Sequence, residues 1–193
     1  MARMRKLPLE EWDESLAALT NRPQIGMFPI LAHNPPIAKA VMDLYGALAK
    51  GRQLPRRLLE LVRLRIAYRN QCRTCIAVRY GSDIEPDLDD AAVCALETPL
   101  DSELFSAAEK AAIIFADRMA TDHLSVDDEV YAALLAHFSE AEVVELAAHV
   151  AVLIGFGRLT ATLNLVDQLP EEYRSDSPAE FAPWLNAGIA FNR

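Results

Sequence analysis

The sequence has little cysteine, little glycine and few aromatic residues, and each scarcity excludes a class of protein. Three cysteines in 193 residues are too few, and odd in number, for the disulfide scaffold of a small secreted domain. Seven glycines and eleven prolines exclude a low-complexity chain, and aromatic residues at only 7% favour helices over a β-sandwich. Because 52% of the residues are hydrophobic, we expect a single domain with one buried core.

Long apolar runs and excess positive charge are also missing. The longest apolar stretch, Leu146–Gly157, is shorter than the ~18 residues of a membrane span, so we predict a buried core helix and no membrane partner. A net charge of −9 argues against a general nucleic-acid partner, because that role depends on neutralising phosphates. No apolar run follows the basic first residues, so we expect no signal peptide and a cytoplasmic protein.

The charge is distributed unevenly along the chain. Up to Arg79 there are 14 Lys and Arg against 6 Asp and Glu, and after it 5 against 22. The net charge therefore changes from +8 in the first part to −17 in the second. We expect the basic and acidic parts to pair with each other, within one subunit or between subunits.

Helical periodicity runs through nearly the whole chain and predicts an all-α fold. We predict one domain over 1–193, with N-terminal helices in 1–50, a core in 54–169 and a C-terminal arm in 170–193. Gly26–Pro36 is predicted to be a loop. Helix starts are indicated by the proline pair after Asn34 and by capping boxes at Ser106 and Ser139. The predicted helices are Pro8–Leu19, Ile37–Lys50, Pro55–Arg69, Gln71–Tyr80, Asp87–Glu97, Lys110–Ala120, Val130–His137 and Val143–Leu169.

Cys72 and Cys75 stand at the predicted start of a helix, with two residues between them. At that position the unpaired backbone N–H groups and the positive end of the helix favour a thiolate. At about 100° per residue, Arg79 shares the face of the two cysteines. Arg73 and Arg79 add positive charge, which favours the thiolate further. The pattern predicts a reactive dithiol.

Glu60 is the only acidic residue in the stretch 50–79, which holds nine basic residues. It stands among leucines and valine, so we expect it to be at least partly buried. A buried carboxylate near a cysteine pair can act as a base or a proton store. Composition alone leaves open a structural alternative, in which Glu60 pairs with an arginine at helical spacing: Arg56, Arg57 or Arg63.

Four residues outside this stretch carry structural expectations. Cys94 lies in an apolar segment and is expected to be a small buried residue, and a zinc site is not expected because a second close pair of ligands is missing. His149 interrupts an apolar helix, where a structural hydrogen bond is favoured over a role in proton relay. Gly155 and Gly157 cost helix stability, so we expect a neighbouring helix, the cysteine helix among the candidates, to approach closely at both.

The arrangement of Glu60, eleven further residues and then Cys72-x-x-Cys75 resembles the carboxymuconolactone decarboxylase-like family, specifically its alkylhydroperoxidase AhpD-like branch. The resemblance extends from about Leu54 to Leu169. It implies an AhpD-like helical bundle that assembles into trimers or hexamers, with no metal and no organic cofactor.

The resemblance also implies roles for the site residues. Cys75 attacks a hydroperoxide, Cys72 resolves the product to a disulfide, and Glu60 relays protons with a histidine four residues after the second cysteine. Arg79 occupies that histidine position, and a guanidinium does not accept and return protons near neutral pH. The implied function is a thiol-dependent peroxidase or disulfide oxidoreductase, with a hydroperoxide or small disulfide as substrate and a thiol reductant as partner.

Three alternatives stay open at this stage. Position in the helix alone favours Cys72 as the more ionised thiol, so the residues do not settle which cysteine attacks. The same fold could serve a lyase that acts on a small carboxylated lactone, with arginines holding the substrate carboxylate. It could also serve a redox-sensing module in which the dithiol reports the redox state.

Overall fold

The computed structural model describes residues 2–19, 26–78, 88, 90–167, 169 and 174. Within these residues every regular element is a helix, which confirms the all-α prediction. Two single turns of 3₁₀-helix, Leu9–Glu11 and His123–Ser125, accompany the α-helices. The α-helices are α1 (Glu14–Ala17), α2 (Phe28–Leu31), α3 (Pro35–Lys50), α4 (Arg56–Arg69), α5 (Arg73–Ala77), α6 (Asp90–Ala95), α7 (Ala107–Thr121), α8 (Asp128–Leu135) and α9 (Glu140–Leu163).

The N-terminal residues do not form the single helix predicted for Pro8–Leu19. The backbone of Trp12 is extended, and its indole Nε1 donates a hydrogen bond to the carbonyl of Leu7 at 3.0 Å. Trp12 and Leu16 are buried in a cluster that α3 completes. Burial of the indole therefore interrupts the helix that periodicity predicts, and the predicted loop 26–36 contains the short helix α2.

The helix α3 begins and ends close to where the sequence predicts. The side chain of Asn34 accepts a hydrogen bond from the backbone N–H of Ile37, and Pro35 occupies the first helical position, where a missing N–H is tolerated. At the other end, Gly51 donates its backbone N–H to the carbonyl of Ala47 at 2.8 Å. Local capping signals are therefore sufficient to predict this helix.

The helix α4 lies at the centre of the fold and packs against α5, α7 and α9. Its residues 60–68 are all buried, so no side of this stretch faces solvent. One side, including Val62 and Ile66, packs in a cluster with α7, α8 and α9. The other side, including Leu61 and Leu64, packs in a second cluster with α5, α6 and α7. The polar side chains of α4 must therefore find partners inside the protein.

The arginines of α4 pair with acids of α7, as the uneven charge distribution predicts. Arg57 Nε lies 2.8 Å from Glu109 Oε1. Arg65 Nε and Arg69 Nε lie 2.8 Å and 2.6 Å from the same oxygen, Asp117 Oδ1. These contacts confirm that the basic and acidic parts of the chain complement each other within one subunit.

Both predicted capping boxes are present, at the start of α7 and of α9. The side chain of Ser106 accepts from the N–H of Glu109, and the side chain of Ser139 accepts from the N–H of Glu142. Each glutamate carboxylate accepts in return from the N–H of its serine. The short helix α6 covers only part of the predicted Asp87–Glu97.

The long helix α9 ends at Leu163, six residues before the predicted end at Leu169. Asn164 has a left-handed backbone, with φ 52° and ψ 53°, and this conformation ends the helix. By length and composition alone α9 is apolar enough to cross a membrane, a property that the core helix of a soluble protein can share. Within the predicted core helix Leu146–Gly157, Leu146 and Val150 are buried in the core, whereas Ala151 and Gly155 are exposed, so one side of the helix is buried and the other is not.

Candidate functional site

The two cysteines predicted as a reactive dithiol lie at the start of α5, Cys72 at its N-cap and Cys75 in its first turn, and they form a disulfide. Cys72 is the N-cap of α5, and its Sγ accepts a hydrogen bond from the backbone N–H of Cys75 at 3.3 Å. Cys72 is fully buried, whereas Cys75 is partly exposed. Of the two sulfur-bearing residues, Cys75 is therefore the one that a small molecule reaches from solvent.

A tight turn after α4 places Cys72 at this position. Gln71 has a positive φ of 49°, and its side-chain Nε2 donates to the carbonyl of Tyr68 at 2.6 Å. The backbone N–H of Cys72 then donates to the carbonyl of Ala67 at 3.1 Å. Asn70, the residue before Gln71, is still right-handed, so the chain reverses at Gln71.

The cysteine helix is shorter than the predicted Gln71–Tyr80. It ends at Ala77, and the backbone of Val78 is extended. Arg79, the fourth predicted site residue, lies outside the described residues. A helix of five residues has a small dipole, so the local N–H of Cys75 is the main backbone contribution to the electrostatics at Cys72.

Glu60 is buried and forms a two-pronged ion pair with Arg63. Arg63 Nε lies 2.6 Å from Glu60 Oε2, and Arg63 Nη2 lies 2.6 Å from Glu60 Oε1. The side chains of Glu60 and Arg63 are only 4% and 10% exposed, respectively. Of the three arginines that helical spacing offered to Glu60, the structure therefore shows contact with Arg63, while Arg57 contacts Glu109.

The same guanidinium connects Glu60 to the cysteine helix. Arg63 Nη1 donates to the carbonyl of Cys75 at 2.6 Å, and Arg63 Nη2 donates to the carbonyl of Val78 at 2.8 Å. The structure thus brings together Glu60, Cys72 and Cys75, three of the four predicted site residues. Arg63 was foreseen only as a possible partner of Glu60, because hydrogen bonds to backbone carbonyls 12 and 15 residues away leave no signal in a sequence.

The end of α9 contacts the start of α5. Arg73 Nη2 donates to Asn164 Oδ1 at 2.6 Å, and Arg73 Nη1 donates to the carbonyl of Arg174 at 3.0 Å. Thr74 Oγ1 donates to the carbonyl of Leu165 at 3.0 Å. The residues that follow α9 therefore pack beside the dithiol.

Gly157 allows α9 to approach the end of α4 closely. A Cβ at this position would lie 2.6 Å from Nδ2 of Asn70, an amide that donates to the carbonyl of Leu153 at 3.1 Å. The expected close approach is therefore confirmed at Gly157, against the residue two positions before Cys72. It is not seen at Gly155, because no atom of the described residues lies within 4 Å of a Cβ there.

The remaining candidate side chains lie apart from the dithiol. His149 faces Glu145, with 3.9 Å between Nε2 and Oε1, and its buried Nε2 has no hydrogen-bond partner among the described residues. Burial lowers the pKa of His149, assisted by Arg52 and opposed by Glu145 and a hydrogen bond to the backbone of Leu48. The contacts of His149 thus support a structural role.

Cys94 is an exposed free thiol, so the expectation that it is buried was wrong. Among the described residues, no three side chains of His, Cys, Asp or Glu are grouped so that they could hold a metal ion. The dithiol with Glu60 and Arg63 is therefore the candidate site that the geometry supports.

Comparison with known proteins finds a family match over the part of the chain that contains this site. Residues 35–118, which include Glu60, Cys72 and Cys75, match the carboxymuconolactone decarboxylase (CMD) family. No functionally curated protein matches the sequence.

Three solved structures resemble the fold. The first is the alkylhydroperoxidase AhpD core of an uncharacterised peroxidase-related protein from Ralstonia eutropha JMP134, with a TM-score of 0.72, 19% identity, and coverage of 90% of this chain and 94% of the other. The second is a cysteine-to-alanine variant of the debrominase Bmp8 in complex with 2,3,4-tribromopyrrole, with a TM-score of 0.71, 18% identity, and coverage of 90% and 96%. A protein of unknown function from Agrobacterium tumefaciens, for which AhpD antioxidant defence is suggested, has a TM-score of 0.60, 20% identity, and coverage of 75% and 98%.

At these identities the likeness to solved structures establishes the fold, and the family match adds the segment that carries the dithiol. Residues 35–118 therefore match the carboxymuconolactone decarboxylase family, in a chain whose helical fold is similar to that of AhpD-like proteins.

Proposed function

We propose that the protein is a thiol-dependent peroxidase or disulfide oxidoreductase that uses Cys72 and Cys75 as a redox pair. The observation that carries the proposal is the pairing of Cys72 with Cys75 at the start of α5, where Cys75 is partly exposed. Arg63, which is ion-paired with Glu60, donates to the backbone carbonyl of Cys75. The AhpD-like fold supports the same function.

The reaction balances with two thiols and one hydroperoxide. The thiolate of Cys75 attacks the outer oxygen of the peroxide, the O–O bond breaks, and an alcohol leaves after taking up a proton. Cys75 is then a sulfenic acid. The thiol of Cys72 attacks its sulfur, the disulfide forms, and water leaves. A dithiol reductant restores both thiols by disulfide exchange and is itself oxidised to a disulfide.

Cys75 is proposed as the attacking residue because it is the partly exposed one, whereas Cys72 is fully buried. The hydrogen bond from the N–H of Cys75 to Cys72 Sγ acts in the opposite direction, since it favours a thiolate at Cys72. We give the exposure of Cys75 more weight than the ionisation of Cys72, because an incoming peroxide must reach the sulfur before its ionisation matters.

Glu60 is proposed as the acid and base of the site. A carboxylate offers about four acceptor positions, and the fork of Arg63 occupies one on each oxygen. Arg79 is proposed to stabilise the thiolate through its charge and not to relay protons, because a guanidinium keeps its proton near neutral pH. We also propose that the protein works as a homo-oligomer, a trimer or hexamer, in the cytoplasm.

Thiol titration tests the proposal directly. The fully reduced chain has three thiols, and one equivalent of hydrogen peroxide is expected to leave one, the exposed thiol of Cys94. Cys75→Ser is expected to abolish peroxide turnover with a dithiol reductant, whereas Cys94→Ser retains it. Alkyl hydroperoxides and 2,3,4-tribromopyrrole are assayed alongside, the latter because the similar debrominase binds it. If peroxide does not convert Cys72 and Cys75 to a disulfide, the peroxidase proposal is wrong.

The family match favours one second candidate, a lyase that acts on a small carboxylated lactone. Replacing both Cys72 and Cys75 by serine separates the two candidates. Lactone turnover that survives this double replacement would support the lyase, whereas its absence together with peroxide turnover in the unmodified chain supports the peroxidase.

A further inference from the structure

We infer that Arg63 is a positioning residue of the dithiol site, one that fixes the cysteine helix relative to Glu60 and balances the charge of Glu60 beside Cys75. For its catalytic consequence the inference rests on the proposed function. The expected effects are on the properties of the two thiols themselves, so the inference is testable without a peroxide.

The first support is the number of contacts that one side chain makes. A guanidinium has five N–H donors in a planar fork. Arg63 directs two of them to the two oxygens of Glu60 and two to the carbonyls of Cys75 and Val78. The ammonium of a lysine has three donors around one nitrogen and does not reproduce two parallel bonds to a carboxylate together with two carbonyl contacts.

The second support is where these carbonyls lie. Cys75 and Val78 belong to the last turn of α5 and its C-cap, where carbonyls lack partners inside the helix. A cation at this end of a helix is favourable, and here it also satisfies both carbonyls. Loss of Arg63 would therefore release the end of α5 that carries Cys75, while Cys72 stays fixed by the turn from α4.

The third support is the charge balance around Cys75. Besides Glu60 and Arg63 of α4, α5 itself brings Arg73, which is bound to Asn164, whereas Arg158 of α9 is bound to Asn70 and to the carbonyl of Ala120. Without Arg63, the buried Glu60 would lose its two-pronged partner next to the thiol. The other residues clustered with Cys75 include Tyr68 of α4 and the apolar side chains of Ala92, Val93, Leu96 and Ile113 from α6, α7 and the intervening turn.

The experiment uses the full-length protein in a Cys94→Ser background, so that Cys72 and Cys75 are the remaining thiols. One measurement is the pH midpoint of thiol alkylation in the reduced protein. The other is the rate of disulfide formation with oxidised glutathione. The variants are Arg63→Gln, Arg63→Lys and the double variant Glu60→Gln/Arg63→Gln. Arg65→Lys is the matched control, because Arg65 is also buried on α4 and ion-paired but contacts Asp117 and the carbonyl of Leu96.

Arg63→Gln is expected to raise the alkylation midpoint by about one pH unit, the low end of what a nearby charge does, because Glu60 then disfavours the thiolate. Adding Glu60→Gln is expected to bring the midpoint back, a reversal that general destabilisation would not produce. Arg63→Lys is expected to keep the midpoint but slow disulfide formation about tenfold, since it keeps the charge and loses the geometry.

Three results would overturn the inference: an unchanged midpoint in folded Arg63→Gln, a wild-type rate of disulfide formation in Arg63→Lys, or an equal slowing in Arg65→Lys. If Arg63→Gln does not fold, the double variant and Arg63→Lys still decide. These readouts need no peroxide, so an inert wild-type protein in the peroxide assay refutes the proposed function while leaving this inference to its own test.

Discussion

Replacing Gly157 by alanine is expected to destabilise the protein even though alanine is the better helix former. Gly157 lies inside α9, and a Cβ there would stand 2.6 Å from Nδ2 of Asn70. No real Cβ tolerates that distance, so the amide must move. Asn70 is the C-cap of α4, two residues before Cys72, and the displacement reaches the turn that holds the dithiol.

The magnitude follows from the hydrogen bonds that the amide makes. Nδ2 donates to the carbonyl of Leu153 at 3.1 Å, and Oδ1 accepts from Nε of Arg158 at 3.1 Å. Losing both costs about 2–3 kcal/mol, at about 1 kcal/mol for the neutral bond and somewhat more for the bond to the cation. Alanine returns about 1 kcal/mol of helix propensity. The net destabilisation of Gly157→Ala is therefore about 1–2 kcal/mol.

Two other helical glycines are matched controls. Within the described part of the chain, Gly46 in α3 and Gly155 in α9 have no atom within 4 Å of the place that a Cβ would take, so alanine there is expected to stabilise by up to about 1 kcal/mol. The contrast of about 2–3 kcal/mol corresponds to roughly 4–12 °C in Tm for a chain of this size.

Thermal unfolding followed by circular dichroism measures this contrast, with size-exclusion chromatography confirming an unchanged assembly state. The rate of disulfide formation is measured on the same samples and is expected to fall only in Gly157→Ala. Equal increases in Tm for all three variants would refute the reasoning, because they would show that the Asn70 amide is not held against α9.

Two further predictions concern α7. Ser106→Ala is expected to lower the free energy of unfolding by about 1 kcal/mol, because the N–H of Glu109 loses its acceptor, and Ser106→Asp is expected to restore most of it; urea unfolding gives both values. Asp117→Asn is expected to cost about 2–3 kcal/mol at neutral pH, because Arg65 and Arg69 lose a shared carboxylate. Burial raises the pKa of Asp117, but the bonds and charges of the two arginines outweigh it and hold the pKa below its usual value. The contribution of Asp117 to the free energy of unfolding is therefore present above about pH 4 and is lost as pH falls through the lowered pKa. The urea midpoints of wild type and Asp117→Asn should converge in acid. A difference between the two midpoints that stays constant with pH would contradict this.

Local signals were enough to predict much of the fold. Helix α3 was recognisable from Asn34 and its proline pair, and the capping boxes at Ser106 and Ser139 were read correctly because serine and glutamate at this spacing satisfy each other's backbone N–H groups. The dithiol and the neighbouring Glu60 were also found in the sequence. For the caps and the dithiol the atoms that interact are at most a few residues apart, whereas Glu60, 12 residues before Cys72, was singled out because it is the one acid among many arginines.

What the sequence did not show depends on contacts between distant residues. The periodic pattern continues through Leu163, Leu165 and Val166, but α9 ends at Asn164, whose side chain accepts from Arg73. The first predicted helix is broken by the packing of a buried indole at Trp12.

The same limit applies to the site. Helical spacing offered three arginines to Glu60, and only the fold shows that Arg63 contacts it while Arg57 reaches Glu109. Arg63 on α4 contacts the carbonyl of Cys75 on α5, and the spacing of residues within one helix does not predict a contact between two helices.

Residues 60–68 of α4 are buried on every side, so the ionic side chains in this stretch form ion pairs inside the protein. A directed-evolution library that randomises α4 alone is expected to return many destabilised clones, since loss of both Arg65 and Arg69 leaves the carboxylate of Asp117 on α7 without its two arginine partners. Libraries that vary Arg65, Arg69 and Asp117 jointly would recover far more folded members. The ionic residues of the central helix are thus expected to tolerate substitution together with their partners better than one at a time.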